Sequence, residues 1–196
     1  MNRRATFRKF FFADSGGFTP PPSSKAGFTI IELLVSLSII VFLGAIVLFN
    51  IGQQRQRAAL LHSGQRLTLD LRRTQNFALS AREFQITGVP CGWGIHFNGP
   101  NSANYIIFAD LAASPDCSDR DFIRAANGSE DYETVNFDAG ISINSLSNSL
   151  SDIVFTPPDP LVRFTPDQTT AAVVLINRNS ATMTATVNKA GLIFLQ

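Results

Sequence analysis

From Ile30 to Phe49 the chain is apolar almost without a break, interrupted by Glu32, Ser36, Ser38 and Gly44. About twenty helical residues cross a hydrocarbon core, so this run predicts one membrane span. The stretch before it, Met1 to Gly27, carries five bases against one acid, net +4. Basic flanks are retained on the cytoplasmic side. The expected orientation therefore leaves this leader in the cytoplasm and puts everything after Asn50 outside. A secretory signal shares the basic start and apolar core, but its layout differs. Here Gly16-Gly17 and Pro20-Pro21-Pro22 separate the bases from the apolar run, and no A-x-A site closes that run. An uncleaved signal anchor is the remaining competitor.

After the span, Leu60, Leu67, Leu71 and Ala78 recur at spacings of seven, four and seven, one face of a continuing helix. No proline lies between Phe28 and Val89, so one helix is expected to run to about Phe84, stopped by Thr87-Gly88-Val89-Pro90. Arg55, Arg57, Arg66, Arg72, Arg73 and Arg82 outweigh Asp70 and Glu83 on this stem, net +4. From Ile86 to Gln196 five bases face eleven acids, net −6, so stem and head carry opposite charge.

Beyond Pro90 the pattern shifts to short strand-like runs at 93–97, 105–108, 153–155, 173–176, 183–187 and 192–195. Asn177-Arg178-Asn179-Ser180 and Asn188-Lys189-Ala190-Gly191 read as short connections, predicting an antiparallel meander at the C-terminus. Its apolar face requires a cover, and the Leu60/Leu67/Leu71 stripe is the natural one. The expected fold class is α+β, a helix packed on a sheet. The expected organisation is a leader at 1–27, a transmembrane half-helix at 28–50, an amphipathic stem at 51–86 and a β-rich head at 87–196.

Lys25-Ala26-Gly27-Phe28-Thr29-Ile30-Ile31-Glu32-Leu33-Leu34-Val35 resembles the cleavage and methylation motif of type IV pilins and type II secretion pseudopilins. The resemblance implies cutting after Gly27 by a membrane-embedded prepilin peptidase, which also N-methylates the new terminus, Phe28. It also implies a pilin-like fold and partnership with other pilin or pseudopilin subunits. The residue chemistry agrees. Glycine offers no side chain to obstruct a protease cleft. A lone carboxylate such as Glu32 in hydrocarbon costs on the order of 2.5–3.5 kcal/mol, and cleavage creates an α-amine four residues away that can neutralise it. In the family the matching glutamate meets the amine of a neighbouring subunit during assembly. Gly17-Phe18-Thr19 echoes the cut site, but Pro20 to Pro22 follow it and no apolar helix can begin there. Segments 105–110 and 153–160 also resemble strands of the H-type minor pseudopilins.

Other chemistry is sparse. Cys91 and Cys117 both lie on the side expected to be exported, where an oxidising compartment permits a disulfide; two unlinked buried thiols are the alternative. Asp116, Asp119 and Asp121, with Glu130, Asp131 and Glu133, offer hard oxygen ligands of the kind calcium takes, without the EF-hand spacing. A solvated acidic loop is the favoured reading of them, and no other cofactor is implied. His62 and His96 fall in no zinc-like pattern, and no nucleophile-elbow or phosphate-loop motif is present, so no enzyme is expected. DNA is a poor partner for a head of net −6, apart from a local patch at Arg178 and Lys189. The expectation is a structural subunit of a pilus or pseudopilus in the cytoplasmic (inner) membrane. The alternatives are a DNA- or ligand-binding subunit at a filament tip and a membrane-anchored domain that never polymerises.

Overall fold

The computed structural model describes residues 27–85, 88–114, 116–157 and 161–196, the side chains of 49 and 50 excepted. Residues 1–26, with the Gly17-Phe18-Thr19 echo, lie outside the described residues, as do 158–160. The chain divides into two compact units, Met1–Gly44 and Ala45–Gln196.

Helix α1 spans Ile30–Leu79. In the first unit it presents Ile30, Leu34, Ile40, Phe42 and Leu43 exposed on every side, and by length and composition it is able to cross a membrane. Its first turn is N-capped in a Thr-x-x-Glu sequence: Thr29 precedes the helix, its hydroxyl oxygen accepts the Glu32 N–H at 3.3 Å, and Glu32 sits at the third helical position.

In the second unit the stem half of α1 buries the predicted stripe, Leu60, Leu67, Leu71 and Ala78, together with Ser63 and Thr74. It ends at Leu79, not at Phe84. Ala81 adopts φ 47°, the Arg82 N–H donates to the Phe77 carbonyl at 3.0 Å, and the Ala81 N–H donates to the Ala78 carbonyl at 3.1 Å. This is a Schellman cap, a left-handed residue folding the chain back over the last carbonyls. The closing residue is an alanine where a glycine is usual, so composition gives no warning of the stop.

Among the described residues nine strands follow: β1 (Gly92–Phe97), β2 (Asn104–Asp110), β3 (Asp131–Asn136), β4 (Ile141–Leu146), β5 (Asp152–Thr156), β6 (Leu161–Thr165), β7 (Thr170–Asn177), β8 (Thr182–Asn188) and β9 (Ile193–Leu195). They form two antiparallel sheets where a single meander was the clear signal. One has the order β3-β2-β1-β5-β6 and the other β4-β7-β8-β9. The β7-β8-β9 meander is as expected. Strands β3, β4 and β6 had no legible apolar run, being built from DYETVN, ISINSL and LVRFT.

One hydrophobic core joins the stem to the inner faces of both sheets. Trp93, Ile95 and Phe97 of β1 share their face with Tyr105, Ile107, Ile153 and Phe155 on the neighbouring strands. Against that sheet the stem sets Phe77 edge-on to Trp93, with ring centroids 5.1 Å apart. The Tyr105 hydroxyl donates to Asp70 at 2.5 Å, and Arg73 donates to Glu133 at 2.9 Å. Arg82 lies over the Phe77 ring at 4.0 Å. The opposite charges of stem and head thus meet along β3. Toward the smaller sheet Gly64 gives the close approach, because a Cβ there would stand 2.5 Å from the Met183 sulfur.

The outer face of the five-stranded sheet is buried as well. Gly92 and Gly94 make room on it, since a Cβ at Gly94 would lie 2.6 Å from the Phe108 ring. Residues 116–130 reach this face, where the Arg124 amide donates to Asp152 at 3.3 Å and the Thr165 hydroxyl to the Phe122 carbonyl at 3.2 Å, and a disulfide ties Cys117 to Cys91, their Cα atoms 5.6 Å apart.

Candidate processing and assembly site

Gly27, Phe28 and Glu32 occupy one short stretch at the start of α1. Gly27 and Phe28 precede the helix as exposed chain without regular secondary structure, Phe28 being 79% accessible. Among the described residues nothing lies within 4 Å of a Cβ placed at Gly27. A protease requires an extended, accessible peptide, and helical backbone resists entry into a cleft. The Thr29 cap supplies that boundary by starting the helix two residues beyond the junction.

Glu32 therefore has two roles in the geometry. Its backbone N–H is satisfied by the Thr29 hydroxyl, and its carboxylate stands in the first turn, where the helix dipole favours negative charge. The Ser36 and Ser38 hydroxyls, polar interruptions of the apolar run, turn back onto the Glu32 and Val35 carbonyls at 2.7 and 2.8 Å. Their polarity is thereby absorbed within the helix, and Glu32 is left as the ionisable group of the span. In the uncut chain Phe28 lies outside the helix and its nitrogen is a peptide nitrogen, so the α-amine that would pair with Glu32 exists only after cleavage. The Thr-x-x-Glu cap is a local signal that the motif reading passed over.

The remaining candidates lie in the head. Asp116, Asp119 and Asp121 are all in segment 111–130, but each carboxylate serves its own loop. Asp119 accepts the Ala113 and Ser114 amides at 3.0 and 3.1 Å and the Ser114 hydroxyl at 2.8 Å, bonds that hold its pKa below the usual range. Asp116 accepts the Ser118 hydroxyl at 2.9 Å, and Asp121 accepts the Ile123 amide at 3.0 Å. Among the described residues no three His, Cys, Asp or Glu side chains are grouped to hold a metal ion.

His62 pairs with Asp138 at 2.7 Å, and His96 with the fully buried Asp152 at 2.8 Å. Lys189 pairs with Asp167 at 2.8 Å, which also holds the Asp167 carboxyl below its usual pKa. The neighbouring cation considered for phosphate is thus already engaged.

Residues 22–48 match a family model described as the prokaryotic N-terminal methylation motif. The match takes in the Gly27–Phe28 junction, Glu32 and most of the apolar run, and it is consistent with a type IV pilin-like protein or pseudopilin, a structural class. It stops short of the head segments that carry the H-type resemblance. Neither a curated protein nor a solved structure matches the chain.

Proposed function

We propose that this chain is a prepilin-type subunit, cut between Gly27 and Phe28, N-methylated on Phe28, and assembled into a type IV pilus or type II secretion pseudopilus through the apolar half of α1. The observation that carries the reading is the coincidence of the methylation-motif match at 22–48 with a helix that starts just after the junction and is apolar on every side. An all-round apolar helix is suited to lipid or to a bundle of like helices. In this reading 1–27 is a cytoplasmic leader, 28–50 the membrane half of the helix, 51–86 the stem region and 87–196 an extracytoplasmic head. Prepilin peptidase is the processing partner and other pilin subunits are the assembly partners.

Glu32 is the registration device. In a subunit still in the membrane its carboxylate meets its own Phe28 amine or water near the headgroups. In the filament it meets the amine of the next subunit, and removing charge from hydrocarbon favours that contact. Mass spectrometry of filaments from the producing cell tests processing and stoichiometry together. The expected N-terminus is N-methylated Phe28, and an intact leader in the filament would refute the processing claim. Glu32→Ala should leave cleavage intact while lowering incorporation into filaments at least tenfold beside wild-type subunits; undiminished incorporation would remove the registration role.

A further inference from the structure

A sheet ends in edge strands, whose outward N–H and carbonyl groups are open to pairing with another chain. Here the edges are β3, β6, β4 and β9. On β4 the Ile143 N–H donates to the Ser102 carbonyl at 2.9 Å, and its carbonyl accepts the Asn101 N–H at 2.8 Å. On β6 the Val162 N–H donates to the Lys189 carbonyl at 3.4 Å, and on β3 the Asn136 carbonyl accepts the Arg66 guanidinium at 3.4 Å. β9 has no such cover among the described residues. Thr184 and Gln196 exchange both backbone bonds, and the Asn188 N–H donates to the Leu192 carbonyl. Bonded residues alternate with unbonded ones along an antiparallel ladder, so Phe194, opposite Thr186, also faces β8. Ile193 and Leu195 therefore turn their N–H and carbonyl groups off the sheet. The usual protections of an open edge are missing, since Leu192-Ile193-Phe194-Leu195 contains neither a charge nor a proline.

The stem runs beside this edge. Its Gln75 side chain donates to the Gly191 carbonyl at 3.5 Å, while Gln65, Thr68 and Leu69 border a groove of about 250 Å³ whose other wall is Leu195. Helix and strand thus run antiparallel along the groove. Positions 57, 61, 65, 68 and 72 are spaced four, four, three and four, so they share this flank of the helix. Leu61 and Leu69 make the flank apolar and exposed, and Leu192 and Phe194 add exposed apolar surface at the strand. Arg57 and Arg72 make it basic. Both are exposed, and among the described residues neither forms a salt bridge. Asp70, the acid within the stem, is turned away to Tyr105.

We propose that the β9 edge and this flank of the stem form a docking groove for an extended, acidic segment of a partner protein, added as a fifth strand to the sheet β4-β7-β8-β9. The unpaired ladder selects an extended backbone, Leu61 and Leu69 receive apolar side chains, and Arg57 and Arg72 select carboxylates. The two arginines are fifteen residues apart, about 22 Å along the helix axis, which an extended segment of about seven residues spans. A second copy pairing through its own β9 fits less well, because edge-to-edge pairing sets one basic flank against another and like charges oppose it. This inference uses the unit Ala45–Gln196 alone and is independent of the reading as a filament subunit.

The full chain in lipid nanodiscs, titrated with a blocked peptide of that length built from valine and threonine with a glutamate at each end, tests it. Saturable binding is expected, weakening as salt is added. Hydrogen exchange read by mass spectrometry should show the Ile193 and Leu195 amides newly protected, while residues 141–146 stay unchanged. The same peptide with lysine at each end should bind roughly tenfold more weakly. Arg72→Gln, an exposed position that leaves the core untouched, should weaken the glutamate peptide roughly two- to fivefold, as removal of one exposed charge pair does. A glutamate peptide N-methylated throughout keeps its charge and apolar side chains but cannot extend the ladder, and it should not bind. Four results would each overturn the proposal: no saturable binding, equal binding of the lysine-ended peptide, equal binding of the N-methylated peptide, or protection of Ile193 and Leu195 already present without peptide, the mark of self-pairing.

Discussion

Gly94 shows how a single absent side chain shapes this head. It lies mid-strand, where glycine weakens a sheet in general, yet the Phe108 ring occupies the space a Cβ would take, and the Ile153 carbonyl is 2.9 Å away. Gly94→Ala should therefore destabilise the head by about 1–3 kcal/mol, the usual cost of overpacking, seen as a lower midpoint in denaturant. Tyr105 illustrates the reverse case, a polar group taken deep into the core. Burial, then its hydrogen bond to Asp70, raises its hydroxyl well above the ordinary tyrosine range, so it remains a donor to the Asp70 carboxylate. At this scale the roles proposed for Gly27, Phe28 and Glu32 rest on local signals: a small residue at the proposed cut, and a charge within an apolar run. Asp110 has no such signal. Nothing in Phe-Ala-Asp-Leu tells that this aspartate is fully buried, since its burial depends on chain that returns from elsewhere.

At the scale of elements, α1 was read from its apolar run and its stripe, and both predictions rest on the 3.6-residue period that governs any helix. Its C-terminus was misjudged by five residues, since the Schellman cap is closed by Ala81 at φ 47° and not by a glycine. Ala81→Gly should relieve that conformation and stabilise the head by about 0.5–1 kcal/mol, the left-handed strain removed less the added freedom of the unfolded chain. Calorimetry on the pair of proteins checks it, and a destabilised variant would argue that the Ala81 methyl packs usefully. Among the strands, those with contiguous β-branched or aromatic residues announced themselves. β3 and β4 did not, because their partners supply the burial. Val135 is packed opposite Tyr105 and Ile143 opposite Leu175, while the residues between them face outward. An edge strand needs few apolar residues of its own when its neighbour carries the core.

Within the unit Ala45–Gln196, the stem serves two sheets through one core, and the disulfide closes a loop with a sequence separation of 26. The chain-entropy argument assigns such a closure about 3.5 kcal/mol. Replacing Cys91 and Cys117 together by serine should cost about 2–4 kcal/mol and expose 111–130 to protease before the rest of the head. Equal cleavage in both proteins would show that the tether does not hold the segment. The amino-acid order by itself determined the apolar run, the basic stretch before it, the methylation motif and the helical stripe, because each is a periodicity or a composition that acts over a few turns of chain. Tertiary structure alone decided that the strands divide into two sheets, that β3 receives the basic flank of the stem, and that Asp110 is fully buried. Those outcomes depend on which distant residues arrive at the same place. That is set by mutual burial across the fold rather than by any local preference.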